Sequence, residues 1–71
     1  MDFSDRLVEL RKSKDITQRQ LAEALGLTVP AIQNYESKRR RPTFDITLAM
    51  AEYLDVSLDY LVGLSDDPTR R

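Results

Sequence analysis

Apolar residues recur at helical spacing in five stretches, and each stretch opens on a residue suited to cap a helix. Phe3, Leu7 and Leu10, with Val8 beside them, predict a first helix running to about Lys12, with Ser4 as its cap. Thr17 followed by Gln20 is a capping box: the hydroxyl accepts from the amide three residues on, and the Gln side chain returns to the cap's own N–H. Ile16 and Leu21 flank that cap as a hydrophobic staple. The second helix continues through Ala22 and Leu25, and Gly26 stops it, because without a Cβ it enters the left-handed turn freely. Leu27, Thr28 and Ile32 repeat the device for a third helix, with Pro30 in the first turn, where a missing N–H costs nothing; it runs to about Ser37. Thr43 caps a fourth helix with Phe44, Leu48, Met50, Ala51 and Leu54 as its apolar candidates, ending near Asp55. Val56, Ser57 and Leu61 start a short fifth helix that ends near Gly63. No stretch alternates as a strand would. The expectation is an all-α, five-helix domain over residues 1–64, followed by a polar tail or linker start, 65–71, that frays.

Seventy-one residues fit one small domain. Cysteine and histidine are both absent. Disulfides, thiolate metal sites and the usual zinc ligand are thereby excluded, and no nucleophile–base pair can be assembled. Neither a metal nor a cofactor is expected, and neither is an enzyme. The carboxylates Asp55, Asp59, Asp66 and Asp67 lack the spacing of a calcium loop. No apolar run is long enough to span a membrane, and the acidic N-terminus has no signal-peptide layout; a cytoplasmic location is expected. The net charge of −1 argues against a polyanionic partner until its distribution is read. Residues 1–42 carry nine basic and six acidic side chains, whereas residues 43–71 carry two and six. One half can face a polyanion while the other faces away.

The informative segment runs from Gln18 to Tyr35. Ala22, Gly26 and Ile32 follow Gln18 by four, eight and fourteen positions, the arrangement of two helices crossing steeply through a tight turn. The crossing needs a small residue, Ala22; the turn needs a positive φ, Gly26; and Ile32 fills the gap beside Ala22. Leu21, Leu25 and Tyr35 complete this seam. The other face of the third helix carries Thr28, Val29, Pro30, Gln33, Asn34 and Ser37, none of them charged. Such a face suits base edges, since an amide pairs with adenine and an apolar group meets the thymine methyl. The run Lys38-Arg39-Arg40-Arg41 follows directly, where a nucleic-acid backbone would pass.

The stretches 16–22 and 31–36, Ile-Thr-Gln-Arg-Gln-Leu-Ala and Ala-Ile-Gln-Asn-Tyr-Glu, together with Leu54 to Gly63, resemble the phage-repressor-like (Xre, lambda repressor-like) helix-turn-helix family. The likeness covers roughly residues 4 to 63. It implies a prokaryotic or phage transcriptional regulator, most readily a repressor, that binds a double-stranded DNA operator as a homodimer on a two-fold site. It implies base reading by Thr28, Val29, Pro30, Gln33 and Asn34. Phosphate contacts are implied for Thr17, Gln18 and Arg19 and for Ser37, Lys38, Arg39, Arg40 and Arg41. Arg11 and Glu36 match a structural ion pair between the first and third helices. Three departures stand out. Lys38 and Asp55 occupy positions where relatives often have glycine, and Val29-Pro30 replaces amide or hydroxyl residues, so fewer base hydrogen bonds are expected. Self-association is expected around Val56, Leu58 and Leu64. A competing reading makes the acidic segment from Asp45 to Asp67 a surface for a protein partner, with an effector domain on sequence outside this chain.

Overall fold

A computed structural model describes residues 1–70. Each helix begins where a side-chain oxygen captures the amide three residues into it. The helices are α1 (Phe3–Ser13), α2 (Gln18–Leu25), α3 (Val29–Glu36), α4 (Phe44–Leu54) and α5 (Leu58–Val62). Four of the five expected caps are in place: Thr17, Thr28, Thr43 and Ser57 accept from Gln20, Ala31, Ile46 and Tyr60 at 3.0–3.3 Å. The capping box is closed by the Thr17 N–H, which donates to Gln20 Oε1 at 2.8 Å. The fifth expectation fails. Asp2, not Ser4, caps α1, accepting from the Asp5 N–H at 3.0 Å. Ser4 is instead buried, and its hydroxyl donates to the Tyr35 carbonyl at 2.7 Å, tying α1 to the end of α3. A buried hydroxyl needs a partner, and this carbonyl supplies it.

α2 and α3 pack on each other through the expected seam, and α3 also packs on α1. Gly26 lies at φ +69°, and the Leu27 N–H returns to the Ala22 carbonyl at 2.8 Å, so the chain reverses within two residues of α2. Leu7, Leu21, Ile32, Met50, Leu54 and Leu61 are fully buried and bring all five helices into one core. α4 meets this core through Met50, Ala51 and Leu54, with Ile46 partly covered. Phe44 and Leu48, expected among its apolar contacts, lie on the other side and are 67% and 39% exposed. Tyr53 is also exposed. Of the three apolar residues expected to mediate self-association, Val56 is buried and Leu58 packs against the core, leaving Leu64 exposed.

Three non-glycine residues take the left-handed conformation: Asp15 at φ +55° and, at the two departures from glycine, Lys38 at φ +68° and Asp55 at φ +56°. The tail, expected to fray, lies against the α4–α5 junction. The Ser57 N–H donates to the Pro68 carbonyl at 2.9 Å and its hydroxyl to the Asp67 carbonyl at 3.2 Å. Arg6, buried in α1, sets its guanidinium 3.7 Å from the centre of the Tyr60 ring and within 3.8 Å of Asp66. A cation over an aromatic face is attracted by the ring's negative quadrupole.

Gly63 ends α5 at φ +88°, directly beneath the Met1 carbonyl, where a Cβ would collide with backbone. Around Gly26 the corresponding space is open. Gly26→Ala is therefore expected to cost about 1 kcal/mol, the left-handed penalty alone. Gly63→Ala adds an overpacking penalty and is expected to cost about 2–4 kcal/mol. Urea unfolding of the two variants compares them.

Candidate nucleic-acid interface

The sequence of α3 divides it into two faces. Ile32 and Tyr35 face inward and are buried. Thr28, Pro30, Gln33 and Ser37 are exposed; Val29 and Asn34 are half-buried, and Val29 also packs against the core. The five expected base readers thus belong to one short helix and its cap, and all keep surface open to solvent. The Asn34 carbonyl accepts from the Arg39 and Arg40 amides at 3.0 and 3.3 Å, which bends the chain sharply after α3 and brings the arginine run alongside it. Arg19, Arg39, Arg40 and Arg41 are exposed, and none pairs with a carboxylate among the described residues. Unpaired guanidinium groups are available for phosphate oxygens in bidentate geometry.

The one carboxylate of α3 is held away from this surface. Arg11 grips Glu36 with two hydrogen bonds, Nε to Oε2 at 2.7 Å and Nη2 to Oε1 at 3.2 Å, and its Nη1 donates to the Ile16 carbonyl at 3.0 Å. Both side chains are nearly buried. The implied ion pair between α1 and α3 is therefore present. The sequence did not disclose that it extends further. Gln18 Nε2 also donates to Glu36 Oε1, at 3.0 Å, and Gln33 Nε2 reaches Gln18 Oε1 at 3.5 Å. The first residue of α2 thereby links the buried carboxylate to an exposed amide on α3.

Lys38 stands apart from the arginines. Its left-handed backbone turns the side chain back to α1, where Nζ lies 3.0 Å from Asp2 and 3.5 Å from Asp5. The Asp5 N–H and the Lys38 ammonium hold the Asp2 carboxyl below its ordinary range. Asp2 in turn raises the Lys38 ammonium above its usual value. The clue in the sequence was two acidic residues at the start of α1; nothing in the spacing places residue 38 beside them.

This fold and surface define a helix-turn-helix domain with a neutral outer helix flanked by free arginines. The Helix-turn-helix family profile matches residues 7–61. The HTH-type transcriptional regulator YobD of Bacillus subtilis is 39% identical over 66 residues, covering 93% of this chain and 59% of YobD. The HTH-type transcriptional activator BcrR of Enterococcus faecalis is 34% identical over 63 residues, covering 89% of this chain and 31% of BcrR. Among solved structures, the P22 c2 repressor in complex with a synthetic operator superposes with a TM-score of 0.84 at 28% identity, covering 92% of this chain and 98% of that one. The chain belongs to the helix-turn-helix family, in its phage-repressor-like branch. This is a family of transcriptional regulators, not of enzymes. The chain spans little more than half the length of YobD.

Two outcomes follow. Glu36→Ala leaves Arg11 nearly buried without its partner and is expected to cost about 3 kcal/mol by urea unfolding. A carboxyl whose folded pKa is depressed contributes stability above its unfolded value and loses it as pH falls through the folded one. The Asp2 contribution is accordingly lost only on strong acidification. Lys38→Gln is expected to move the Asp2 midpoint upward in a carboxyl-carbon NMR titration.

Proposed function

We propose that this chain binds double-stranded DNA sequence-specifically, lays α3 in the major groove, and acts as a transcriptional repressor. The observation that carries this reading is the neutral, solvent-facing side of α3 beside four arginines that form no ion pair among the described residues. Thr28, Val29, Pro30, Gln33 and Asn34 read base edges. Thr17, Gln18, Arg19, Ser37, Arg39, Arg40 and Arg41 hold phosphates, and Lys38 lies next to them. Phosphate contacts supply most of the affinity by releasing counterions, so binding weakens steeply with salt. Val29 and Pro30 offer no hydrogen bond to a base, which shifts part of the readout to thymine methyls.

Support for an operator as the target comes from the P22 c2 repressor, solved on one, to which this chain is 28% identical over nearly the whole repressor domain. Occupying an operator blocks a polymerase, and repression needs nothing beyond occupancy. BcrR, similar to this chain over 63 residues, is an activator, so the same kind of domain also serves the opposite outcome. Five helices offer a small footprint, so two copies on a two-fold related site provide the affinity that one lacks.

The reading is tested by titrating duplexes selected from a random pool at several salt concentrations. Arg40→Ala is expected to weaken binding to all duplexes alike and to reduce the magnitude of the log–log salt slope by about 1. Asn34→Ala is expected to relax preference at one or two base pairs while leaving the slope unchanged. Absence of any duplex affinity at low ionic strength overturns the function.

A further inference from the structure

Four consecutive cations follow α3, and the fold treats one of them differently. Lys38, Arg39, Arg40 and Arg41 are all exposed, yet only Lys38 meets a carboxylate among the described residues. At φ +68° its backbone sends the side chain toward α1, while the Arg39 and Arg40 amides close onto the Asn34 carbonyl. Lys38 Nζ then lies 3.0 Å from Asp2 Oδ2 and 3.5 Å from Asp5 Oδ1. The nearer acceptor is held in place beforehand. Asp2 caps α1, its Oδ1 takes the Asp5 N–H at 3.0 Å, and Oδ2 is left to face Lys38. An exposed ion pair adds little stability. Its consequence lies in what the ammonium is kept from. Asp2, Lys38, Arg40 and Arg41 line one hollow, so the carboxylates stand beside the turn whose arginines form no ion pair.

We propose that Asp2 and Asp5 withhold Lys38 from the DNA backbone and so limit the sequence-independent affinity of the turn after α3. The inference rests on the proposed docking of α3 on DNA. The family resemblance implies a phosphate contact for Lys38 along with its three neighbours; the geometry gives its ammonium to α1 instead. A cation that neutralises a phosphate releases counterions and adds affinity on any sequence. One already shared by two carboxylates adds less, because leaving them would expose two anions beside a polyanion. Three arginines then hold the backbone after α3 where the sequence offers four cations. Glycine would make this turn with no charge to dispose of. A lysine there brings a charge, and the start of α1 takes it up.

The experiment is a double-mutant cycle read on random-sequence duplex, with the slope of log affinity against log salt as its measure. The four chains are the wild type, Lys38→Gln, Asp2→Asn/Asp5→Asn and the variant carrying all three substitutions, each first checked for folding by thermal melting. Asn keeps a capping oxygen at residue 2, so α1 keeps its start; Asp2→Ser/Asp5→Asn, which also caps, replaces this pair if it melts early. Asp2→Asn/Asp5→Asn is expected to steepen the slope by about 1 and to bind about fivefold more tightly at about 0.1 M salt. Adding Lys38→Gln to it is expected to return the slope to near the wild-type value. In the wild-type background the same substitution is expected to change the slope by less than about 0.3. A loss of about 1 from Lys38→Gln alone overturns the inference, because Lys38 then already holds a phosphate. An unchanged slope in Asp2→Asn/Asp5→Asn overturns it too. So does a steepening that survives the third substitution, since that is the effect of removing two negative charges without Lys38. Absence of duplex affinity in all four chains overturns the function reading along with the inference, whereas the other outcomes overturn the inference alone.

Discussion

The Arg11–Glu36 pair is the contact on which the remainder of the domain depends. Taking two charges out of water is costly, and a nearly buried pair contributes little to net stability unless its remaining donors and acceptors are met. Here they are met largely by backbone and by Gln18: the guanidinium spends three nitrogens on Glu36 and the Ile16 carbonyl, and one carboxylate oxygen takes two donors. The result is a fixed relation between α1, the turn before α2, the start of α2 and the end of α3. A hydrophobic pair could pack those helices as tightly, but it would not set their rotation about one another. The pair also removes a negative charge from the end of the helix that the arginine run flanks. A free Glu36 carboxylate beside a phosphate would repel it, whereas the paired one is electrically quiet.

The second constraint is the bend after α3. The backbone at Lys38 takes a conformation that a side chain disfavours, and the cost is offset by what the side chain does once turned back: it meets the two carboxylates at the start of α1. Glycine would make the bend with less strain but would leave Asp2 and Asp5 without a cation. The arginines that follow are thus delivered beside α3 by a residue anchored to a different helix. The Asn34 carbonyl fixes the same bend from within, taking the amides of Arg39 and Arg40. Solvation of three adjacent guanidinium groups and the geometry of the turn therefore agree, and none of the three forms an ion pair among the described residues.

The starts and stops of the helices were legible because caps are local chemistry. A hydroxyl three residues before an amide, or a glycine after a periodic run, acts on its neighbours whatever the tertiary context. Ser4 misled for the same reason: it has the chemistry of a cap, but Asp2 reaches the Asp5 amide first and the core claims the serine for Tyr35. Phe44 and Leu48 were misread because apolar spacing identifies a helix without saying which face meets the core, and Met50, Ala51 and Leu54 form the stronger stripe. The division of α3 into an inner seam and an outer neutral face was legible, because Ile32 and Tyr35 share the seam with Ala22. The link from Glu36 through Gln18 to Gln33 was not. Its members stand eighteen and fifteen residues apart, and only the crossing of two helices brings them together.

Net charge is a poor guide to this molecule because several of its acidic side chains are paired locally. Asp2 and Asp5 hold Lys38, Glu36 holds Arg11, Asp55 holds Arg70 and Asp66 faces Arg6. α5, which carries Asp59, packs on α1 and α4. Salt screens charges over about 8–10 Å, and the domain measures 29 Å along its longest axis. A polyanion approaching α3 therefore senses Arg19, Arg39, Arg40 and Arg41 before it senses the sum over the chain. Pairing also has a kinetic side: each internal ion pair subtracts a charge that would otherwise bind DNA in any register. Among the described residues Arg19 on α2 and Arg39, Arg40 and Arg41 in the turn after α3 form no ion pair, so the arginine run lies next to the neutral face of α3, and attraction and orientation are a single property of that surface.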